Sequence, residues 1–109
     1  MVRRILDEAA ALDDASAASV ALDAAPFTVD ESARGPSYGV MSDEQRRFLA
    51  DVARASGLMT DPVYTGKALF ALKLARQRGA LREGARVLFL HTGGLPGLLA
   101  QGDAFEAEL

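Results

Sequence analysis

The feature that most constrains this chain is a short apolar run, Val87-Leu88-Phe89-Leu90, that ends at His91-Thr92-Gly93-Gly94. The run is too short for a helix and does not alternate with polar residues, so Arg86 to Leu90 reads as a strand buried on both faces. Such a strand belongs to a parallel sheet lying between helices. Beyond the glycines the pattern turns helical: Leu95 to Ala100 is apolar, and Pro96 suits the first turn of a final helix.

The residues upstream supply matching elements. Ile5, Leu6, Ala9, Ala10 and Leu12 fall at helical spacing, predicting a helix over Val2 to Leu12. Ala15 to Ala25 holds a loop and a short strand around Ser19 to Leu22, Phe27 to Asp30 alternates as a strand does, and Ala33 to Gly39 is a loop by its glycines and proline. Ser42 and Gln45 form a capping box that starts a helix running to Ser56, with Phe48, Leu49, Val52 and Ala53 inward and Gly57 as its left-handed stop. Leu58 to Val63 is a short buried strand or an extended run. Gly66 to Arg78 forms the next helix, apolar around more than one face and therefore packed on more than one side, with Gly79 as its stop. Helices alternating with strands predict an α/β fold: three layers, a partial parallel sheet flanked by helices, in one domain over residues 1–109.

Composition narrows the function classes. A length of 109 residues allows one domain with an adequate core. Charge is uneven: Met1 to Ala33 carries Arg3 and Arg4 against seven carboxylates, while Lys67, Lys73, Arg76, Arg78, Arg82 and Arg86 face only Glu83. Those cations have no interleaved exposed aromatics and lie along a helix and its exit, so they read as a solvated face and no nucleic-acid partner is expected. Without cysteine, and with His91 the single histidine, a protein-held metal is not expected. No apolar run has membrane-spanning length, and Asp7-Glu8 succeeds the first residues where a signal peptide would continue apolar, so a cytoplasmic location is expected.

In parallel α/β sheets ligands bind beyond the carboxyl ends of strands, where loops enter helices. Asp61-Pro-Val-Tyr-Thr-Gly-Lys67 and Val87 to Leu98 both occupy such places, entering helices at about Thr65 and Gly94. Free amides there favour anionic or electron-rich atoms, and glycines admit close approach. Each residue has a plainer reading too. Thr65 is a helix cap or a ligand contact, His91 a bonded strand-end histidine or an acid–base group, Tyr64 a half-buried aromatic with a paired hydroxyl or a site residue, and Gly93 and Gly94 turn residues or a floor.

Taken together, the stretches from Tyr38-Gly-Val-Met-Ser42 through Asp61-Pro-Val-Tyr-Thr-Gly-Lys-Ala68 to Val87-Leu-Phe-Leu-His-Thr-Gly-Gly94 resemble the C-terminal part of the D-cysteine desulfhydrase and 1-aminocyclopropane-1-carboxylate deaminase family. These are pyridoxal 5'-phosphate enzymes of the tryptophan synthase β-subunit fold. Deaminases read Tyr-Glu-Gly-Lys and His-Leu-Gly-Gly, whereas Tyr64-Thr65-Gly66-Lys67 and His91-Thr92-Gly93-Gly94 are similar to the desulfhydrase kind. A carboxylate beside the pyridine nitrogen favours the protonated ring; a threonine hydroxyl donates to the unprotonated one and leaves a weaker electron sink.

The resemblance implies Thr92 as partner of the pyridine nitrogen, with Thr65 nearby as counterpart of the deaminase glutamate. It implies Tyr64 as the active-site tyrosine, Gly93 and Gly94 as the floor under the ring, Tyr38 near the pocket mouth and Leu95 at a variable lining position. The intact enzyme would carry out α,β-elimination on a small D-amino acid, giving pyruvate, ammonia and sulfide. The family's Schiff-base lysine and phosphate loop lie upstream of anything matching this chain, and neither Lys67 nor Lys73 takes that lysine's place. The chain is therefore expected to be inactive alone, to bind the cofactor weakly or not at all, and to need the missing N-terminal portion or to self-associate. The alternative is a small non-enzymatic α/β binding module or a truncated remnant.

Overall fold

The computed structural model describes residues 28–108 of the chain. The expected Val2–Leu12 helix, the short strand around Ser19–Leu22, and Phe27 lie outside the described residues. The helical elements run in order as α1 (Asp43–Ser56), α2 (Thr65–Gln77), α3 (Leu95–Leu99) and a 3-10 helix (Gly102–Glu108).

The start of α1 is set by reciprocal bonds. The Ser42 hydroxyl accepts from the Gln45 amide at 3.2 Å, and Gln45 Oε1 accepts from the Ser42 amide at 2.9 Å. Asp43 and Glu44 in the first turn and Arg54 in the last complement the helix dipole. Gly57 closes the helix in the left-handed region at φ 74°, its amide donating to Ala53 O at 2.8 Å.

Helix α2 packs on α1 through apolar contacts sealed by a cation. Phe48 and Phe70 meet edge to face with centroids 5.4 Å apart, and Lys73 Nζ lies 4.8 Å from the Phe70 centroid and 3.2 Å from Glu44 Oε1. The approach of the two helices depends on Gly66. A Cβ there would sit 2.4 Å from Asp61 O and 2.5 Å from a Leu49 methyl, so no side chain fits. At the other end, Arg78 donates to Asp30 Oδ2 at 2.5 Å and to Ser32 Oγ at 3.1 Å, tying residues 30–32 to the end of α2. Arg47 pairs with Glu108 at 3.7 Å across α1 and the 3-10 helix.

The expected sheet is not assembled among the described residues. Their single pairing is an isolated antiparallel bridge between Ser37 and Val40. Arg86 to Leu90 is unpaired, and Thr28 to Asp30 and Leu58 to Val63 form no strand. Nor is Arg86–Leu90 buried, for Leu88 is 92% exposed and Val87 and Leu90 also face solvent. The reason is physical: a strand obtains its backbone bonds from neighbours, and a run patterned for burial stays bare where no strand among the described residues reaches it. The expectation that α2 is covered on several sides also fails in part, since only Thr65, Gly66 and Phe70 of this helix are buried.

A second uncovered apolar surface borders α1. A cavity of about 450 Å³ opens between α1, α3 and the 3-10 helix, walled mainly by Leu49, Ala53, Met59, Leu98, Leu99 and Phe105.

Candidate functional site

Three chain segments meet at the start of α2. They are the 33–41 loop, the Asp61–Thr65 turn and the His91–Gly94 step. Their organising group is the carboxylate of Asp61, which is 2% exposed.

Asp61 precedes Pro62, and its side chain turns back to bind the backbone just beyond it. Its Oδ2 accepts from the amides of Val63 at 2.8 Å and Tyr64 at 2.7 Å, while Oδ1 accepts from the Thr65 amide at 2.8 Å and the Thr65 hydroxyl at 2.5 Å. Burial pushes the Asp61 carboxyl upward, but the bond from the Thr65 hydroxyl and those from the three amides outweigh it and hold the group below the usual 3.8. Asp61 therefore remains a carboxylate and serves the free amides at the start of α2. Thr65 is not the cap; it is the first residue of the helix, with its hydroxyl also accepting from the Asp61 amide at 3.0 Å.

The same carboxylate supports the glycine step. At Gly94 φ is 110°, and a Cβ there would lie 2.4 Å from Asp61 Cγ, so the backbone rests directly against the acid. Thr65 Oγ1 is 3.4 Å from Gly93 O. Around Gly93, at φ 101°, the space a Cβ would enter is open. His91 joins a further segment: its Nε2 meets Met59 O at 2.8 Å and its Nδ1 accepts from the Gly93 amide at 3.1 Å. Those partners assign the proton to Nε2 and occupy both ring nitrogens, which fits the hydrogen-bonded reading of this histidine, here at the end of an unpaired run.

Tyr38 and Tyr64 are brought together although 26 residues separate them, their hydroxyls sharing a short hydrogen bond and their rings meeting at 71° with centroids 6.1 Å apart. Both rings are exposed, Tyr38 at 79% and Tyr64 at 59%, so Tyr64 is more open than half-buried. The bond to Tyr38 raises Tyr64 above the usual phenol value of 10.0, with the charge of Asp61 acting in the same direction. Tyr64 thus keeps its proton at neutral pH.

The structure gathers Tyr38, Tyr64, Thr65, Gly93 and Gly94 around this hub. Thr92 is exposed beside it without a side-chain hydrogen bond among those described, and Leu95, also exposed, opens α3. Sequence reasoning missed Asp61, whose signal was an aspartate before proline and four residues ahead of Thr65. It also missed Lys67, which donates to Arg34 O and Ser37 O, each at 2.8 Å. Among the described residues no cluster of three or more His, Cys, Asp or Glu could hold a metal ion, and no helix is long and apolar enough to cross a membrane.

Comparison with known proteins gives consistent relatives. The chain is 43% identical over 70 residues to a 1-aminocyclopropane-1-carboxylate deaminase of Bradyrhizobium diazoefficiens, covering 64% of this chain and 21% of the relative. It is 36% identical over 104 residues to a D-cysteine desulfhydrase of Serratia proteamaculans, covering 90% of this chain and 31% of the relative. A D-cysteine desulfhydrase of Yersinia enterocolitica is 37% identical over 76 residues, covering 70% of this chain and 23% of the relative. The chain spans less than a third of the length of each. No family model and no solved structure matches it.

Proposed function

Because the chain belongs, as a stretch matching less than a third of its relatives' length, to the family of 1-aminocyclopropane-1-carboxylate deaminases and D-cysteine desulfhydrases, we propose that it forms the C-terminal wall of a lyase site. That family has an α/β fold and uses pyridoxal phosphate. The intact enzyme would act in the desulfhydrase manner, eliminating sulfide from a small D-amino acid with pyruvate and ammonia as the other products.

The observation that carries this reading is the Asp61 hub, which holds the Tyr64 turn and the Gly94 step on one buried carboxylate. A flat aromatic ring fits what surrounds it. Gly93 offers open backbone, Thr92 an exposed hydroxyl, and the tyrosine pair exposed phenols. When bound, pyridoxal phosphate supplies the electron sink for the pair left on the substrate's α-carbon.

The residues of this chain have narrower tasks. Thr92 donates to the ring nitrogen, and Gly93 and Gly94 form the floor. Thr65, its hydroxyl engaged with Asp61 and close to Gly93 O, would steady that floor. Tyr64 Oη, protonated at neutral pH, donates to the substrate carboxylate, with Tyr38 orienting that hydroxyl from the mouth. Leu95 lines the edge of the pocket. Lys67 is committed to the loop, and Lys73 to Glu44 and the aromatic seam, so the cofactor-anchoring lysine and the phosphate contacts come from the remaining portion. The bare Arg86–Leu90 run and the apolar cavity are the surfaces that this portion covers.

The test mixes the 109-residue chain with the complementary segment of a D-cysteine desulfhydrase, adds pyridoxal phosphate, and monitors cofactor absorbance together with sulfide and pyruvate from D-cysteine. Signal only in the mixture is expected. Signal from the chain alone refutes its inactivity, and no signal in either case refutes the lyase reading and favours a binding module or remnant.

A further inference from the structure

Tyr38 stands on a loop with little of its own to fix it. It comes after Ser37 in a tight turn closed by the Val40 amide donating to Ser37 O at 3.2 Å, with Gly39 in the left-handed region at φ 72°. Its described aromatic contact is with Tyr64, and its ring is otherwise open to solvent. Something else must hold the 34–38 backbone over the start of α2.

We propose that Lys67 is a positioning residue that sets the Tyr38–Tyr64 contact by clamping the 34–38 loop onto the first turn of α2. Its Nζ reaches across about thirty residues of sequence to Arg34 O and Ser37 O, bracketing Gly35 and Pro36 and ending one residue before Tyr38. Gly35 is shaped for this contact. Its φ is 74°, and a Cβ there would lie 3.3 Å from Lys67 Nζ and 2.9 Å from Gln45 Oε1. Lys67 also lies three residues beyond Tyr64, so one helical turn bears one tyrosine and the clamp on the other. Relative movement of the loop backbone under Tyr38 and the helical turn under Tyr64 then strains or breaks the bonds from Nζ. Burial, and then the charge of Arg34, lower the Lys67 ammonium below 10.5, but the clamp does not depend on that proton, since a neutral amine retains two N–H donors for two carbonyls. The functional consequence rests on the tyrosine pair belonging to the lyase site; the clamp itself does not.

Two tyrosines and no tryptophan occur in the chain, so tyrosinate absorbance reports on this pair alone. The experiment titrates the full chain through alkaline pH and monitors helical circular dichroism throughout. Among the described residues Asp61 acts on Tyr64 through its charge and Arg34 on Lys67, and only Lys67 is altered in the first variant. Wild type is expected to show one phenol titrating above the usual 10.0, and Tyr38→Phe to lower the remaining one toward it. Lys67→Met, which keeps the aliphatic stem, is expected to draw the two steps together with helical signal intact. A folded Lys67→Met chain that keeps the wild-type separation overturns the proposal.

Should Lys67→Met lose its helical signal, Gly35→Ala, whose Cβ would press on Gln45 Oε1, Val40 O and Lys67 Nζ together, displaces the same loop and is read in its place. Converging steps are again expected, and retained separation overturns the clamp. Complementation is scored separately: converging steps with no lyase activity in any mixture leave the clamp standing and remove the catalytic reading, while activity with retained separation does the reverse.

Discussion

The Asp61–Thr65 turn and the Arg86–Leu90 run both lead toward a helix start at the same site, yet they are built in opposite ways. The turn is closed on itself: one buried carboxylate accepts from three amides and a hydroxyl within five residues. The run is open, patterned for burial but bare, with Leu88 almost fully exposed. A segment whose polar groups are satisfied locally holds its shape whatever surrounds it. One that relies on neighbouring strands waits for them, and under the proposed function the self-contained segment bears Tyr64 while the dependent one is the surface left for the rest of the enzyme.

Removing the closure is the harshest break of that comparison. Asp61→Ala strands buried donors at the start of α2 and is expected to cost about 3 kcal/mol, read from the denaturant midpoint of helical circular dichroism. Gly94→Ala attacks the same carboxylate from the other side. It combines an unfavourable φ with a Cβ on top of Asp61 and is expected to cost about 2 kcal/mol, whereas Gly93→Ala, with open space, should carry only the smaller backbone penalty.

Acid tests the closure without mutation. Asp61 lies below 3.8 in the folded chain, and Asp30, bonded first by Ser32 and then by Arg78, falls to about 2. Because both folded values are depressed, the stability these groups contribute is fully present above the ordinary carboxylate value and is lost as pH falls through the folded values. Helical signal should therefore weaken between about pH 4 and 2, and Asp61→Asn should remove the part of that dependence that comes from the hub. The smallest effect on folding is expected at the open segment. Leu88→Lys should change stability by less than about 0.5 kcal/mol while lowering self-association measured by light scattering and weakening complementation.

Legibility in the sequence divides along the same line. The capping box at Ser42 and Gln45, the stops at Gly57 and Gly79, and Pro96 in the first turn of α3 were readable because each is decided by residues a few positions apart. The strand pattern of Arg86–Leu90 was readable as a preference, but pairing requires a partner that the pattern does not contain. At the site, the two glycine-bearing steps were legible from their motifs. The coupling between them was not, because it runs through the Asp61 carboxylate, which neither motif ties to Gly94. The clamp by Lys67 spans about thirty residues, a distance at which side-chain chemistry leaves no periodic trace.

Gln45 has a consequence for how this region opens. The side chain that completes the capping box through Oε1 also donates from Nε2 to Ala33 O at 2.8 Å, buried between helix and loop. Fraying the first turn of α1 therefore releases the root of the Tyr38 loop, and lifting the loop uncaps the helix. In hydrogen exchange the amides of Ser42 and Gln45 should share one opening free energy with the 33–40 segment, making this stretch a single foldon whose loop cannot breathe by itself.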